Sequence, residues 1–403
     1  MKITANDLAD DRFSRLRLIQ WWDQVALSRT KVLVVGAGAL GNEILKNLAL
    51  LGFQNIVVID CDRVEESNLS RSILFRPDQV GSPKAMAAAD AVTGIYGDSR
   101  VVGLVADIMH GVGLGLFYWA DVVIAGLDNR EARLCINRSC WKLNKPWVDG
   151  AIEGVNGVAR VFIPGCPPCY ECTLGEADWQ LISHRLSCNL LAHASDTAGK
   201  TPTTPTISSI IGGIQVQEAV KLIHGLPTLS GKGFHFEGIN HTSYVVSYTE
   251  NPDCYSHYRF QEIVPLASRS DETTLVDLHI RAQKDLSASD VTLDFSREVI
   301  HALHCSHCGY RKEIFAPVGT VRTDEAVCPN DGQEMPVLAI HGYSGDESYG
   351  SRKLSELGLP LLDVFSARAG TREIHYLMWS DRHSVLGKLA DEDLVDECSN
   401  ACG

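Results

Sequence analysis

Lys31-Val32-Leu33-Val34-Val35-Gly36-Ala37-Gly38-Ala39-Leu40-Gly41, completed downstream by Gln54-Asn55-Ile56-Val57-Val58-Ile59-Asp60, decides the fold. After Lys31 an unbroken apolar run reads as a strand buried on both faces. Gly36, Gly38 and Gly41 follow at once, and Asn42 to Leu51 reads as a helix stopped by Gly52. The second stretch is another buried strand, so the unit is βαβ. Its glycines allow a tight turn and close approach of backbone to phosphate, and the helix N-terminus favours an anion. Asp60, at the end of the second strand, suits a ribose hydroxyl. Alone, this pattern says only that a nucleotide binds, and an NAD-dependent oxidoreductase fits it equally well.

Outward from that unit, Ala120 to Gly126, Pro146 to Gly150 and Val158 to Ile163 read as further strands. Their alternation with helices predicts a mostly parallel, doubly wound sheet. Gly165 to Pro205, rich in Cys, Pro, His, Ser and Thr, reads as a long crossing loop. Thr206 to His224 predicts a buried helix ending at Gly225, and strands near 233–236 and 243–248 close the domain. The expected class is α/β: a Rossmann-like adenylation domain over 1–268, with its crossing loop at 173–205. A smaller α+β domain over 269–403 follows, with a Cys-rich insert at about 301–335.

The 403 residues are 45% hydrophobic and 21% charged, with a formal net charge of −14. That acidity excludes a broad nucleic-acid surface, which needs clustered Lys and Arg, and favours protein partners. No apolar stretch is long enough to cross a bilayer. The N-terminus lacks a signal-peptide core, so a cytoplasmic protein with reduced thiols is expected.

The residues after Asp60 separate the nucleotide chemistries. Asn68 and Arg71 come first, then Gly81-Ser82-Pro83-Lys84, and later Gly126-Leu127-Asp128-Asn129. Hydride transfer needs no Arg and Lys here. Attack of a carboxylate on an α-phosphate does, because charge builds on the departing pyrophosphate and fixed cations with Mg²⁺ stabilise it. An Asp at the C-terminal end of a parallel strand is well placed for Mg²⁺.

From about Asp11 to Asn251 these motifs, in this order, resemble the ThiF, MoeB and ubiquitin-activating enzyme superfamily. The resemblance implies ATP as the nucleotide, held by Gly36, Gly38, Gly41, Asp60, Asn68, Arg71, Lys84, Asp128 and Asn129. Asp60 resembles the ribose-binding Asp; Asn68, Arg71 and Lys84 the phosphate contacts; and Asp128 the Mg²⁺ ligand. Arg12-Phe13-Ser14-Arg15 resembles the family's N-terminal motif, whose second Arg reaches the partner subunit's γ-phosphate. Arg15 is thus a candidate arginine finger across a homodimer. Ser72 stands where the family usually has Gln, a departure.

The conjugating members of that family carry the activated protein as a thioester, which requires a thiolate. Cys188, in the crossing loop with His184 and Arg185 upstream, is the expected nucleophile; Cys61, Cys135 and Cys140 read instead as buried small hydrophobes. Cys169-x-x-Cys172 and Cys254-x-x-His257 can supply four tetrahedral zinc ligands. The family holds a structural Zn²⁺ at these places, usually with four Cys, and Cys166 is a spare thiol nearby. Cys305-x-x-Cys308-Gly309 and Cys328-x-x-Asp331-Gly332 resemble a zinc ribbon with Asp331 replacing its last Cys. His301, His304 and His307 could serve instead, and a metal-free ribbon is the competing reading. Arg352 to Pro360 and the residues after it resemble the end of the family's ubiquitin-fold domain, which recruits a conjugating enzyme. The acidic stretch from Ala390 to Glu397 reads as a tail.

The resemblance thus implies adenylation of the C-terminal glycine of a ubiquitin-like or sulfur-carrier protein. A thioester on Cys188 and transfer to a ubiquitin-conjugating-type enzyme would follow. A sulfur-carrier adenylyltransferase and a non-catalytic scaffold subunit are the alternatives.

Overall fold

The computed structural model describes residues 11–187, 191 and 202–391, with the helical backbone alone for 183–187. Two sheets organise it.

The first is built from α1 (Gln24–Arg29), β1 (Lys31–Val35), α2 (Ala39–Leu51), β2 (Asn55–Ile59), α3 (Lys84–Ile95), β3 (Arg100–Leu104), α4 (Leu114–Trp119), β4 (Val122–Gly126), α5 (Arg130–Lys142), β5 (Trp147–Glu153), β6 (Asn156–Phe162), α6 (Glu176–Ser187), α7 (Pro205–Ile223), β7 (Lys232–Glu237) and β8 (Thr242–Ser247). Strand order is β3-β2-β1-β4-β5-β6-β7-β8. The first five strands are parallel, and β6 to β8 add antiparallel. The apolar run of β1 divides between faces as a doubly covered strand must. Val32 and Val34 join the core under α2, α3 and α7, while Leu33 and Val35 join the core under α4 and α5.

The second sheet contains β9 (Ile263–Pro265), β10 (Thr292–His304), β11 (Arg311–Pro317), β12 (Val337–Tyr343), β13 (Val364–Ala369) and β14 (Arg372–Leu377), with α8 (Leu275–Leu286) packed on it and α9 (Arg382–Leu386) after it. Its order is β11-β10-β13-β14-β9, with β12 also on β10. β9 runs parallel to β14. The long β10 changes partners along its length. Thr292 to Asp294 pair with β13, and Val299 to His304 pair with β11. The Cys-rich insert is therefore a hairpin-like extension of the same sheet.

The two sheets share a core. Leu362, Val364, Leu377, Leu386 and Leu389 belong to the apolar cluster that covers β1, β4 and α5. Polar contacts reinforce it: Asp363 accepts from Leu114 N at 2.9 Å, and Gly115 N donates to Leu362 O at 2.8 Å. The stretch expected to be one long loop between Gly165 and Pro205 holds α6. Its helical spacing was obscured because polar residues dominate its composition and its intrinsic signal is weak.

Candidate functional site

The turn from β1 into α2 shows why each glycine is where it is. Gly36 has φ +92°, and a Cβ there would lie 2.6 Å from Gly126 O. A Cβ on Gly41 would lie 1.9 Å from Gly36 O, so the third glycine packs helix against turn. Gly38 faces open space at the head of α2. Asp60 Oδ2 accepts the Ala37 N–H at 2.7 Å, and Oδ1 accepts from Asp62 N at 2.8 Å. Burial pushes the Asp60 carboxyl up, against these hydrogen bonds.

This turn floors a cleft of about 620 Å³ at the carboxyl ends of the parallel strands, lined by Gly36, Gly38, Asp60, Asn68, Arg71, Lys84, Asp128 and Asn129, among others. Eight of the nine expected nucleotide residues therefore converge; Gly41 supports them from behind. Lys84 opens α3 and its ammonium meets Asp62 Oδ2 at 2.7 Å. Asn68 is buried and accepts the Glu65 N–H at 2.9 Å. Arg71 donates to Ser67 O at 2.6 Å. Asn129 caps α5 through the Ala132 N–H at 2.7 Å, which orients the loop carrying the exposed Asp128. Ala106, Ile108, Met109 and Leu127 supply apolar wall. Arg15 is exposed and does not line this cleft in its own chain.

Two supporting groups were not anticipated. Asn42, fully buried in α2, donates to Ala37 O at 2.7 Å and Gly38 O at 3.0 Å and accepts from Leu74 N at 2.8 Å. It ties the glycine turn to the segment carrying Asn68 and Arg71; an Asn directly after the last glycine of the turn was the available signal. Asp149, also fully buried, meets Arg133 Nε and Arg160 Nε, each at 2.9 Å. Burial opposes its charge, and the guanidiniums of Arg160 and Arg133 overcome it and hold the carboxyl below its usual range. Arg133 also donates to Leu127 O, beside Asp128. A second cleft of about 890 Å³ opens from the first at Leu127, Asp128 and Ile152, with Arg130, Arg160, His235 and Tyr244 on its walls.

The cysteines sort themselves. Cys61 was expected to be buried; it is exposed on the cleft rim, because it lies two residues past the end of β2, in the turn after Asp60. The crowded rim and the carboxylates of Asp62, Asp60 and Asp107 push its thiol up to about 11, so it is not a thiolate at neutral pH. Cys140 is buried as expected, and Cys135 is half-buried in α5. Cys188 lies outside the described residues, just past the end of α6.

Cys169, Cys172, Cys254 and His257 come together with all donor atoms within 4.8 Å. Cys169 Sγ lies 3.7 Å from Cys172 Sγ and 3.6 Å from Cys254 Sγ, and His257 Nε2 lies 3.4 Å from Cys172 Sγ. Zn–S bonds of about 2.3 Å at tetrahedral angles place sulfurs about 3.8 Å apart, so the set fits zinc. A disulfide would need about 2.05 Å. His257 stacks on Trp141 at 4.3 Å. Cys166 is exposed and stands outside the set. Cys305, Cys308, Cys328 and Asp331 form a second cluster.

The sequence profile of the ThiF family matches residues 11–256. The NEDD8-activating enzyme E1 catalytic subunit of Arabidopsis thaliana is 42% identical over 157 residues, a match spanning 36% of this chain and 34% of that protein. This chain thus aligns with about a third of that relative's length. The SAMP-activating enzyme E1 of Haloferax volcanii is 33% identical over 259 residues, covering 60% of this chain and 87% of that one. Among solved structures, E. coli MccB crystallised with ATP superposes with a TM-score of 0.52 at 21% identity, over 63% of this chain and 75% of that one, which speaks for the fold. With the profile spanning more than half of its length, the chain belongs to the ThiF family.

Proposed function

We propose that the protein adenylates the C-terminal glycine of a ubiquitin-like protein and then carries it as a thioester on Cys188 for transfer to a conjugating enzyme. The convergence of Asp60, Asn68, Arg71, Lys84, Asp128 and Asn129 on one glycine-floored cleft carries the reading. ATP occupies that cleft, its ribose against Asp60 and its phosphates along the glycine turn, Asn68, Arg71 and Lys84. Asp128, exposed at the junction of the two clefts, is the residue that would hold Mg²⁺, whose chemistry is to offset charge on the phosphates. The second cleft admits the partner's extended tail, so the carboxylate arrives at the junction. Its oxygen attacks the α-phosphorus, the bond to pyrophosphate breaks, and an acyl-adenylate forms. The Cys188 thiolate then attacks the acyl carbon and AMP leaves with the bonding electrons. Cys169, Cys172, Cys254 and His257 would hold a structural zinc, which would clip the start of the crossing segment to the end of the first domain.

A homodimer places Arg15 toward the partner's phosphates. Leu18, Ile19, Trp21 and Val25, near it in sequence, are exposed apolar residues of the kind an interface covers. The test is ATP–pyrophosphate exchange with candidate Gly-ending partners, followed by a non-reducing gel. Exchange should fall about 100-fold or more in Lys84→Ala and Asp128→Ala, and an adduct should vanish in Cys188→Ala. Exchange without an adduct would make the protein a sulfur-carrier adenylyltransferase. Bound ATP with no exchange on any partner would favour a scaffold subunit.

A further inference from the structure

The second cysteine cluster sits at the end of the second sheet, in two turns of matching form. In one, Gly309 N donates to Cys305 O at 3.0 Å and Cys305 N to Tyr310 O at 2.8 Å; in the other, Gly332 N donates to Cys328 O at 2.9 Å and Cys328 N to Gln333 O at 2.8 Å. Gly309 (φ +75°) and Gly332 (φ +70°) take the left-handed conformation that closes each turn. Each turn thereby presents two donors three residues apart toward the other. All four donor atoms lie within 4.8 Å of one another. Cys308 Sγ is 3.4 Å from Cys328 Sγ, and Cys305 Sγ is 3.3 Å from Asp331 Oδ2. Those separations suit the edges of a zinc tetrahedron, about 3.5–3.8 Å, and exceed a disulfide bond of about 2.05 Å. Surrounding polar groups support bound ligands in the manner of outer-sphere hydrogen bonds. Asn330 Nδ2 reaches Cys308 Sγ at 3.6 Å, Gln333 N donates to Asp331 Oδ1 at 3.1 Å, and His307 Nδ1 lies 3.0 Å from Asp331 Oδ2.

The apolar group next to this cluster is small: Ile300, Leu303, Cys305, Val321, Ala326, Cys328 and Met335. So few buried side chains do not stabilise an extension of this size without a staple. One further member comes from far away in the chain. Leu191, only 6% exposed, packs into this same core, although it belongs to the segment that crosses from α6 to α7. Cys188 is three positions before it.

The geometry points to a mixed-ligand zinc site of Cys305, Cys308, Cys328 and Asp331, whose metal-tied turns build the seat into which Leu191 packs. Three thiolates and one carboxylate hold Zn²⁺ in a closed, four-coordinate, structural site. Asp331 is the weak corner: an oxygen ligand in a sulfur-rich set is softened toward loss, so the seat depends on zinc supply more than the first cluster does. The inference stands without the adenylation reading, because its readouts are metal content and backbone protection.

Full-length protein purified without added metal should contain two zinc equivalents. Cys305→Ser/Cys328→Ser should lose one of them, and Cys169→Ser/Cys172→Ser the other. Peptides containing Leu191 should then exchange their amide hydrogens at least about 10-fold faster in the first variant, with the first zinc kept. Should that variant fail to fold, cobalt substitution in the wild-type chain and in Asp331→Cys decides the ligand set. The added thiolate should strengthen the sulfur-to-cobalt charge-transfer band by about a third and tighten zinc retention against a chelator. One equivalent in the wild-type chain, iron in its place, or a cobalt spectrum insensitive to Asp331→Cys would overturn the site. Loss of the second zinc with unchanged protection at Leu191 would overturn the seat.

Discussion

Asp149 shows how one buried side chain sets the position of catalytic candidates it never touches. Its carboxylate neutralises Arg133 and Arg160 at 2.9 Å each, and Arg133 reaches on to the carbonyls of Leu127 and, at 3.1 Å, Gly150. Asp128 is thus aimed by a charge network one residue behind it. Removing the carboxylate leaves two guanidiniums without a counter-charge, one of them buried and the other nearly so. Asp149→Ala should therefore lose about 3–5 kcal/mol of stability, read as a lower urea midpoint at an unchanged m-value. An isosteric Asp149→Asn, still folded, should lose most ATP binding because the loop at Asp128 relaxes. If Asp149→Asn binds ATP like the wild type, the network is only structural. None of this was legible in the sequence, where Asp149 reads as one polar residue in a strand. By contrast the gathering of Asp60, Arg71, Lys84 and Asp128 around one cleft was legible, because each sits at a fixed place relative to the glycine turn.

Elements were legible in proportion to how strongly their own residues specify them. β1, β2 and β4 are apolar runs with one reading. α7 begins with Pro205 after a Thr204 cap, within a residue or two of its expected start. α6 was missed because its sequence is mixed and polar, and its placement depends on α5: Arg130 Nε pairs with Asp178 at 2.7 Å across the two helices. β9, three residues long, exists only because β14 offers an edge. At that junction His375 is buried, stacks on Phe260 at 3.7 Å and lies 2.8 Å from Ser366 Oγ. Burial lowers its pKa to about 4, with Arg368 and Lys142 adding to the effect and Glu373 opposing it. The unfolded chain takes up that proton near pH 6.5. Between these values the unfolded state binds more protons, so the neutral ring's stabilisation is complete above pH 6.5 and fades as the pH drops toward 4. The total is about 3 kcal/mol. Urea midpoints measured from pH 7 to pH 4 should fall less steeply in His375→Gln than in the wild type; parallel slopes would remove His375 as the cause.

At the scale of the whole molecule, the second sheet is built into the wall of the cleft proposed for ATP. Arg297, on β10, donates to Met109 O at 2.8 Å and to Val112 O at 2.7 Å. Met109, with Asp107 and Ile108, lines the cleft. Asp363 holds the adjoining Leu114 N–H and Ser296 Oγ and lies 3.9 Å from the Arg297 guanidinium. A domain carried only for recruiting a partner would need no such grip, since a loose linker suffices for that. The arrangement therefore couples the two units: whatever strains the second sheet reaches the loop that walls this cleft. Arg297→Ala removes two charge-assisted hydrogen bonds to carbonyls that water can then reach, so the fold should survive. The freed loop should raise the Kd for ATP about 5- to 10-fold, a loss of about 1–1.4 kcal/mol, measured by calorimetry on the full chain. Arg297→Lys, which restores the charge but not the two-pronged geometry, should recover only part of it. An unchanged Kd in Arg297→Ala, with its melting temperature lowered, would show that the second sheet lends the cleft wall stability without shaping it. A Kd raised alike in Arg297→Ala and Asp363→Asn, with a less than additive double variant, would show that the two residues work as one latch.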